Sequence, residues 1–189
     1  MFYYEFNDLI PEKYQKFDPY PPSLRPEIDE TNEWTYNTVN NGVYKSGFAT
    51  TQEAYEKNVI PLFHSLDKIE SHLAKQQLYY FGSTITEADI RLYPTIIRFD
   101  PVYVQHFKCN LRDIRSGYPA IHRWLRRLYW DVPAFSETTQ FEHIKKHYTK
   151  TQTQINQFGI TPVGPVPDIL PKDQEVPAVV TAVAAQQKL

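Results

Sequence analysis

Cysteine is almost absent from this chain. Cys109 is the single cysteine among 189 residues. One thiol cannot form a disulfide within the chain, which excludes a small fold stapled by disulfides. We therefore expect a reducing compartment, and specifically a cytoplasmic protein.

Long apolar runs are also missing. No stretch approaches the roughly 20 apolar residues that a membrane-spanning helix needs. The first residues, Met1 to Glu5, lack the basic region and apolar run of a secretory signal. We expect no membrane association from this sequence.

Excess charge of either sign is small. The formal net charge is -2 and the isoelectric point is about 6.3. Such a chain has no global positive field for nucleic acid. The charge is nevertheless polarised: residues 1–33 hold eight acidic and three basic side chains, while residues 112–150 hold eight basic and four acidic ones. The interpretation is two solvated faces that can attract each other or a second subunit.

Apolar spacing predicts an all-α fold. A first helix is expected to begin at Ser23, with Pro26 in its first turn, and to stop at Gly42. A second helix is expected after a cap at Thr50 or Thr51, bent at Pro61. Its apolar stripe has helical spacing and comprises Tyr55, Val59, Leu62, Leu66, Ile69 and Leu73.

A capped central helix is the clearest local signal. Thr86 precedes Asp89 by three residues, the spacing of a capping box, and Ile85 and Ile90 stand where a hydrophobic staple would place them. The helix that follows is apolar on nearly every side, which is typical of a helix surrounded by others.

The rest of the chain predicts three helices and a tail. The helices are expected over Pro119–Tyr129, Pro133–Thr138 and Phe141–Tyr148. No segment alternates as a strand does. We predict an extended, Pro-rich arm over 1–22, a helical domain over 23–165 and a disordered Pro-rich tail over 166–189.

Three candidate sites have ordinary interpretations. Cys109 lacks a base or helix N-terminus to lower its pKa and is expected to be a small buried residue. His143 and His147 have the spacing of zinc ligands but no third ligand nearby, so no metal is expected. Arg123, Arg126 and Arg127 flank Trp124 on a helix that we interpret as a solvated face with the tryptophan in the core.

Tyrosines are the more promising set. A phenol can donate a hydrogen bond to a quinol oxygen while its ring packs against an aromatic ligand. Tyr44 and Tyr103 follow predicted helix ends and Tyr148 ends a helix, so the three hydroxyls are candidates to meet above the central helix.

Seven short motifs lie along residues 5–165. They are Asn32-Glu33-Trp34, Asn40-Asn41-Gly42-Val43-Tyr44, Gly47-Phe48-Ala49-Thr50-Thr51-Gln52, Thr86-Glu87-Ala88-Asp89, Arg98-Phe99-Asp100, Phe107-Lys108-Cys109-Asn110 and Phe141-Glu142-His143-Ile144-Lys145. Together they resemble the C-terminal half of the glutathionyl-hydroquinone reductases, the Xi-class, omega-like glutathione transferases. The resemblance implies a glutathione-transferase C-terminal-like helical bundle in which Tyr44, Tyr103 and Tyr148 line the hydroquinone side.

The resemblance also implies an incomplete site. In the family a thioredoxin-like N-terminal domain binds glutathione, the co-substrate, and supplies the reactive cysteine from a Cys-Pro-Trp-Ala type motif that this sequence lacks. We therefore expect no catalytic residue and no bound cofactor in this chain, which alone would be inactive. The alternative is a non-catalytic helical module that forms a homodimer or pairs with a full-length relative.

Overall fold

The computed structural model describes residues 5–75 and 77–174. Across these residues the fold is helical, and the β pairing consists of one isolated bridge between Tyr79 and Gly82. The predicted all-α class is confirmed.

The helices, in chain order, are α1 (Glu12–Gln15), α2 (Arg25–Thr35), α3 (Asn41–Gly47), α4 (Gln52–Leu73), α5 (Glu87–Arg98), α6 (Ile114–Gly117), α7 (Pro119–Asp131), α8 (Pro133–Thr138) and α9 (Phe141–Thr151). Two 3-10 turns cover Asn7–Leu9 and Pro22–Leu24. Two π-helical turns, Tyr36–Asn40 and Phe99–Tyr103, follow α2 and α5 directly.

The prediction that the first helix stops at Gly42 is wrong. The helix starts at Arg25, passes through a π turn and continues as α3 to Gly47. An isolated glycine costs a helix only about 1 kcal/mol. Gly42 is buried, and a Cβ built on it would lie 3.6 Å from Leu62 of α4. Packing against α4 therefore stabilises a helix that continues through this glycine.

Helix α4 begins and packs as predicted. The Thr51 hydroxyl accepts a hydrogen bond from the Ala54 N–H at 3.1 Å, which caps the first turn. Five members of the predicted stripe are buried, namely Val59, Leu62, Leu66, Ile69 and Leu73. The helix continues through Pro61, and its apolar face forms one wall of the core.

The predicted capped central helix is α5. The Asp89 carboxylate accepts from the Thr86 N–H at 2.9 Å and the Thr86 hydroxyl at 3.0 Å. It also accepts from the Tyr80 N–H and the Trp124 indole N–H, both at 2.8 Å. Burial raises the pKa of Asp89, and these hydrogen bonds act in the opposite direction. These hydrogen bonds join the start of α5 to Trp124 of α7 and to Tyr80 in the loop that precedes α5.

The two segments outside the bundle both contact it. The arm reaches α5, because the Pro19 carbonyl accepts a hydrogen bond from the Glu87 N–H at 2.7 Å. Residues 166–174 lie against α7 and α9, although we expected the chain to be disordered from 166. Arg126 donates to the Pro171 carbonyl and Trp130 to the Leu170 carbonyl. The remaining predicted tail, 175–189, lies outside the described residues.

The interpretation of the α7 arginines as a solvated face is wrong for Arg126. Its side chain is buried and donates to the carbonyls of Pro171 and Gln174, both at 2.6 Å. Arg123 is exposed, and Trp124 is in the core. A segment far along the chain covers Arg126, which the helix sequence alone could not reveal.

Candidate functional site

Two π turns deliver side chains to one cleft. A π turn holds one extra residue in the helical ladder and so redirects the side chains that follow it, and such turns are frequent at functional sites. The turn Tyr36–Asn40 leads into α3, and the turn Phe99–Tyr103 ends at a cleft residue. Asn40 ties the first turn to α5 by donating to the Arg91 carbonyl at 3.0 Å and the Thr95 hydroxyl at 2.6 Å.

The cleft between α3, α5 and α9 has a volume of about 520 Å³. Its lining residues are Asn40, Asn41, Tyr44, Pro94, Thr95, Arg98, Tyr103, His143, Ile144, His147 and Tyr148. The volume lies within the range of small-molecule sites. The lining combines aromatic rings with hydrogen-bond donors and contains no carboxylate.

The three candidate tyrosines converge in this cleft. The Tyr148 hydroxyl lies 2.6 Å from the Tyr44 hydroxyl and 2.9 Å from the Tyr103 hydroxyl. Tyr103 is 1% exposed, Tyr148 is 5% exposed and Tyr44 is 37% exposed. The chain of hydroxyls therefore runs from the core to the cleft surface. Tyr44 lies inside α3 rather than after a helix end, because the first helix is longer than predicted.

Phe107 forms a rigid base under the tyrosines. Its ring stacks on Tyr103 with centroids 5.4 Å apart and an interplanar angle of 3°. It meets Tyr44 edge-on, at 5.3 Å. Gly47 allows this approach, since a Cβ there would lie 2.1 Å from Phe107 Cδ1. The aromatic base thus requires the absence of a side chain at the end of α3.

The tyrosine chain has one hydrogen to spare. Three phenols carry three hydroxyl hydrogens, and two hydrogen bonds join them through Tyr148. The hydrogen of the buried Tyr103 hydroxyl has an acceptor when Tyr103 donates to Tyr148. Tyr148 then donates its own hydrogen to Tyr44. In this arrangement the Tyr44 hydroxyl donates into the cleft. The cleft consequently presents a donor to an incoming oxygen.

Burial keeps these phenols protonated. Desolvation raises the pKa of Tyr148 to about 12, and it raises the pKa of Tyr103 further. The neighbouring phenols add to the rise at Tyr103, because two phenolates so close together would repel each other. At neutral pH the two hydroxyls are donors rather than bases.

Arg98, His143 and His147 are cleft residues that the sequence argument did not select for this role. Arg98 ends α5, and the two histidines lie one turn apart on α9. The i, i+4 spacing of the two histidines indicated that they share one face of a helix, but the role considered for that face was metal binding and not ligand binding. Arg98 belongs to the Arg98-Phe99-Asp100 motif, but the direction of its side chain depends on the π turn that follows α5.

Cys109 is fully buried, and its Sγ lies 3.7 Å from the Phe107 carbonyl oxygen. Burial raises the pKa of its thiol to about 12. A nucleophilic cysteine needs a thiolate and access to substrate, and this position provides neither.

Within residues 5–75 and 77–174, no group of three or more His, Cys, Asp or Glu side chains could hold a metal ion. Over the same residues, no helix is long and apolar enough to cross a membrane.

Comparison with known proteins finds relatives of this chain. The family model of the glutathione S-transferase C-terminal domain matches residues 52–127. The glutathionyl-hydroquinone reductase YqjG of Escherichia coli is 50% identical over 152 residues, which cover 80% of this chain and 45% of that protein. The chain therefore carries a glutathione transferase C-terminal domain.

Solved structures place it more narrowly. The crystal structure of the glutathione transferase Xi from Phanerochaete chrysosporium has 63% identity and a TM-score of 0.89, covering 92% of this chain and 55% of that one. The Xi transferase ECM4 of Saccharomyces cerevisiae, in complex with glutathione, has 48% identity and a TM-score of 0.85, covering 87% of this chain and 54% of that one. The chain is a homologue of the Xi-class, omega-like transferases and glutathionyl-hydroquinone reductases. It spans about half the length of the curated relatives it matches.

Proposed function

We propose that this chain forms the hydroquinone side of a glutathione-dependent reductase of glutathionyl-hydroquinones. Tyr44, Tyr103 and Tyr148 bind the aromatic ring and its oxygens. The observation that supports this most directly is the line of three hydroxyls, 2.6 and 2.9 Å apart, that ends at the surface of a cleft of about 520 Å³.

The tyrosines suit the chemistry of such a reaction. A thiolate attacks the sulfur of the glutathionyl-hydroquinone, an S–S bond forms and the bond between sulfur and the aromatic carbon breaks. The quinol first tautomerises to its keto form, which places a proton on the carbon that bears sulfur. When the carbon–sulfur bond then breaks, its electron pair passes into the ring and onto the adjacent oxygen as a phenolate, which takes up a proton. Fixed donors near that oxygen stabilise the charge as it develops. A second glutathione reduces the mixed disulfide.

The attacking thiol in this proposal comes from outside the domain described here. Cys109 is buried and its pKa is raised to about 12, so it is a poor nucleophile. The thioredoxin-like part of the family's enzymes is the expected source of both the thiol and the glutathione site. Dependence on glutathione also favours a reducing compartment such as the cytoplasm.

Two assays test this division of labour. The purified chain, given glutathione and a glutathionyl-hydroquinone, is expected to show no turnover. Turnover that disappears in Cys109→Ser would overturn the proposal. Adding a separately produced thioredoxin-like half from a Xi-class relative is expected to restore turnover.

A binding assay tests the tyrosines without catalysis. Calorimetry with hydroquinone is expected to show weak binding that falls roughly tenfold in the double variant Tyr44→Phe/Tyr148→Phe, which removes both hydroxyls that can donate into the cleft, since one lost hydrogen bond in a partly dry site is worth about 1.4 kcal/mol. Tyr36→Phe is the matched control, because Tyr36 is exposed and outside the cleft lining. Equal heats in all three proteins would remove the tyrosines from the site.

A non-catalytic interaction module is the second candidate. The segment after α9 exposes apolar side chains, with Phe158 82% exposed and Val163 83% exposed. Exposed apolar groups in one segment favour a protein interface, either with a second copy or with a full-length relative. Sedimentation at increasing concentration tests this idea, and a monomer at every concentration would count against it.

A further inference from the structure

Arg98 is a cation without a carboxylate partner. Its side chain is half-buried at the end of α5 and donates to the Pro94 carbonyl at 2.7 Å. Among the ion pairs of the described residues, none includes Arg98. Arg91, two turns earlier on the same helix, is paired with Glu87. The charge at the cleft is therefore left unneutralised.

The two cavities that Arg98 borders have no carboxylate in their linings. The tyrosine cleft contributes His143 and His147 as its other ionisable groups besides the phenols. On its other side Arg98 borders an apolar cavity of about 430 Å³, whose lining also contains no carboxylate. The field of Arg98 reaches the hydroxyl chain, since burial raises the pKa of Tyr148 while Arg98 acts to lower it.

We propose that Arg98 makes the tyrosine cleft select aromatic ligands in their anionic form, such as phenolates and the anions of acidic hydroquinones, over neutral rings of the same size. The inference rests on the proposed function and adds a class of ligand to it. Two features act together: a hydroxyl hydrogen that Tyr44 can donate into the cleft, and a guanidinium at Arg98 that has no carboxylate partner among the described residues. Both favour an oxygen that carries negative charge.

The size of the preference follows from Coulomb's law. A guanidinium several ångströms from a phenolate oxygen, in a half-buried site with water on one side, gives an affinity advantage of roughly tenfold over the neutral ring. A hydrogen bond from a neutral phenol to the charged oxygen is also stronger than one to an ether oxygen. Of these two contributions to the preference, the one from the Arg98 charge is lost when a neutral residue replaces Arg98.

Binding of 4-nitrophenol and of its methyl ether, 4-nitroanisole, tests the proposal with the full chain. At about pH 8.5 the phenol is anionic while its methyl ether is neutral, so the two ligands differ in charge at nearly the same size. The phenolate is expected to bind roughly tenfold more tightly than the ether in the wild type. The visible absorbance of the phenolate shows which form is bound.

Variants separate charge from shape. Arg98→Gln is expected to remove most of the difference between the two ligands, while Arg98→Lys retains it. Arg91→Gln, on the same helix but outside the cleft lining, is the matched control and is expected to behave as the wild type. Circular dichroism of each variant shows that the fold is kept.

The outcomes distinguish this inference from the proposed function. Equal affinities for phenolate and ether in the wild type, or an unchanged preference in Arg98→Gln, would overturn the role of Arg98 and leave the tyrosine site standing. Failure of the wild type to bind either ligand or hydroquinone would overturn the tyrosine site and this inference together.

Discussion

The two ends of helix α5 both hold polar side chains, but only those at the start have all their hydrogen-bonding partners within the protein. At the start, the Asp89 carboxylate is fully buried and accepts four hydrogen bonds. At the end, Arg98 has no carboxylate partner and the tyrosine chain has a hydrogen to spare. A fully satisfied network stabilises the fold and has nothing left to offer a ligand. The incompletely satisfied end is where binding is expected.

Replacing Asp89 should have the largest effect on stability. Asp89→Ala leaves the Tyr80 N–H, the Trp124 indole N–H and the Thr86 N–H without their acceptor. Loss of a buried network of this size is expected to cost about 3–4 kcal/mol in the free energy of unfolding. Urea unfolding measures it.

Asp131→Ala is the control for that substitution. Asp131 is exposed at the end of α7 and pairs with Lys172, so the expected loss is under about 1 kcal/mol. Equal losses in the two variants would contradict the distinction between the ends of α5.

A buried histidine should give a pH-dependent effect of nearly the same size. Burial lowers the pKa of His122 to about 4, and the positive charges of Arg126 and Arg115 add to the shift. Between pH 4 and about 6.5 the unfolded chain binds a proton there and the folded chain does not. Stability therefore rises with pH across this window, by about 3 kcal/mol for this group. The difference between wild type and His122→Asn, measured by unfolding at several pH values, should show that slope.

Asp100 should show the opposite slope. Asp100 lies just beyond α5 and lines a small internal cavity together with His122, and burial raises its pKa to about 6. Between pH 4 and 6 the folded chain holds a proton that the unfolded chain has released. Stability thus falls as pH rises, by about 2–3 kcal/mol for this group. For each variant, the difference in unfolding free energy from the wild type is plotted against pH. If the slopes for Asp100→Asn and His122→Asn have the same sign, one of the two pKa shifts is assigned wrongly.

Two glycines test the aromatic base at the cleft end. Gly47→Ala places a Cβ within 2.1 Å of Phe107 Cδ1 and is expected to cost about 2 kcal/mol through overpacking. Gly42→Ala meets Leu62 only at 3.6 Å and should stabilise the helix by up to about 1 kcal/mol. Thermal unfolding compares the two, and destabilisation by both would contradict the continuous helix through Gly42.

The smallest effect on stability is expected at the tyrosine nearest the surface. Tyr44→Phe removes the last hydroxyl of the chain, but Tyr148 can then donate into the cleft directly. The loss of stability is expected to be about 0.5 kcal/mol, far below that of Asp89→Ala. A loss near 3 kcal/mol would show that the cleft network, like the Asp89 network, mainly holds the fold together.

The elements marked by local chemistry were predictable from the sequence. The cap at Thr51, the Thr86–Asp89 pair and the helices at Pro119 and Pro133 depend on side chains within one turn of each other. The convergence of Tyr44, Tyr103 and Tyr148 was also expected, although Tyr44 was assigned to the wrong local structure. Its helix is held by packing on α4, which lies outside the range of a local pattern.

The features that the sequence did not predict depend on distant contacts. Neither π turn was predicted from the sequence, although each follows a helix directly. Arg126 is buried by residues 171–174, and the Asp89 network includes Tyr80 and Trp124 from other segments. The absence of a carboxylate partner for Arg98 among the described residues is likewise visible only once the residues around the cleft are known.

The contacts of residues 166–174 have a practical meaning for protein production. Arg126 and Trp130 donate to carbonyls of this segment, and Lys145 forms an ion pair with Asp168. A polypeptide shortened to 165 would lose these acceptors and bring the guanidinium of Arg126 into contact with solvent. Expression plasmids for this domain should therefore encode at least residue 174, whichever partner or tag is joined to it.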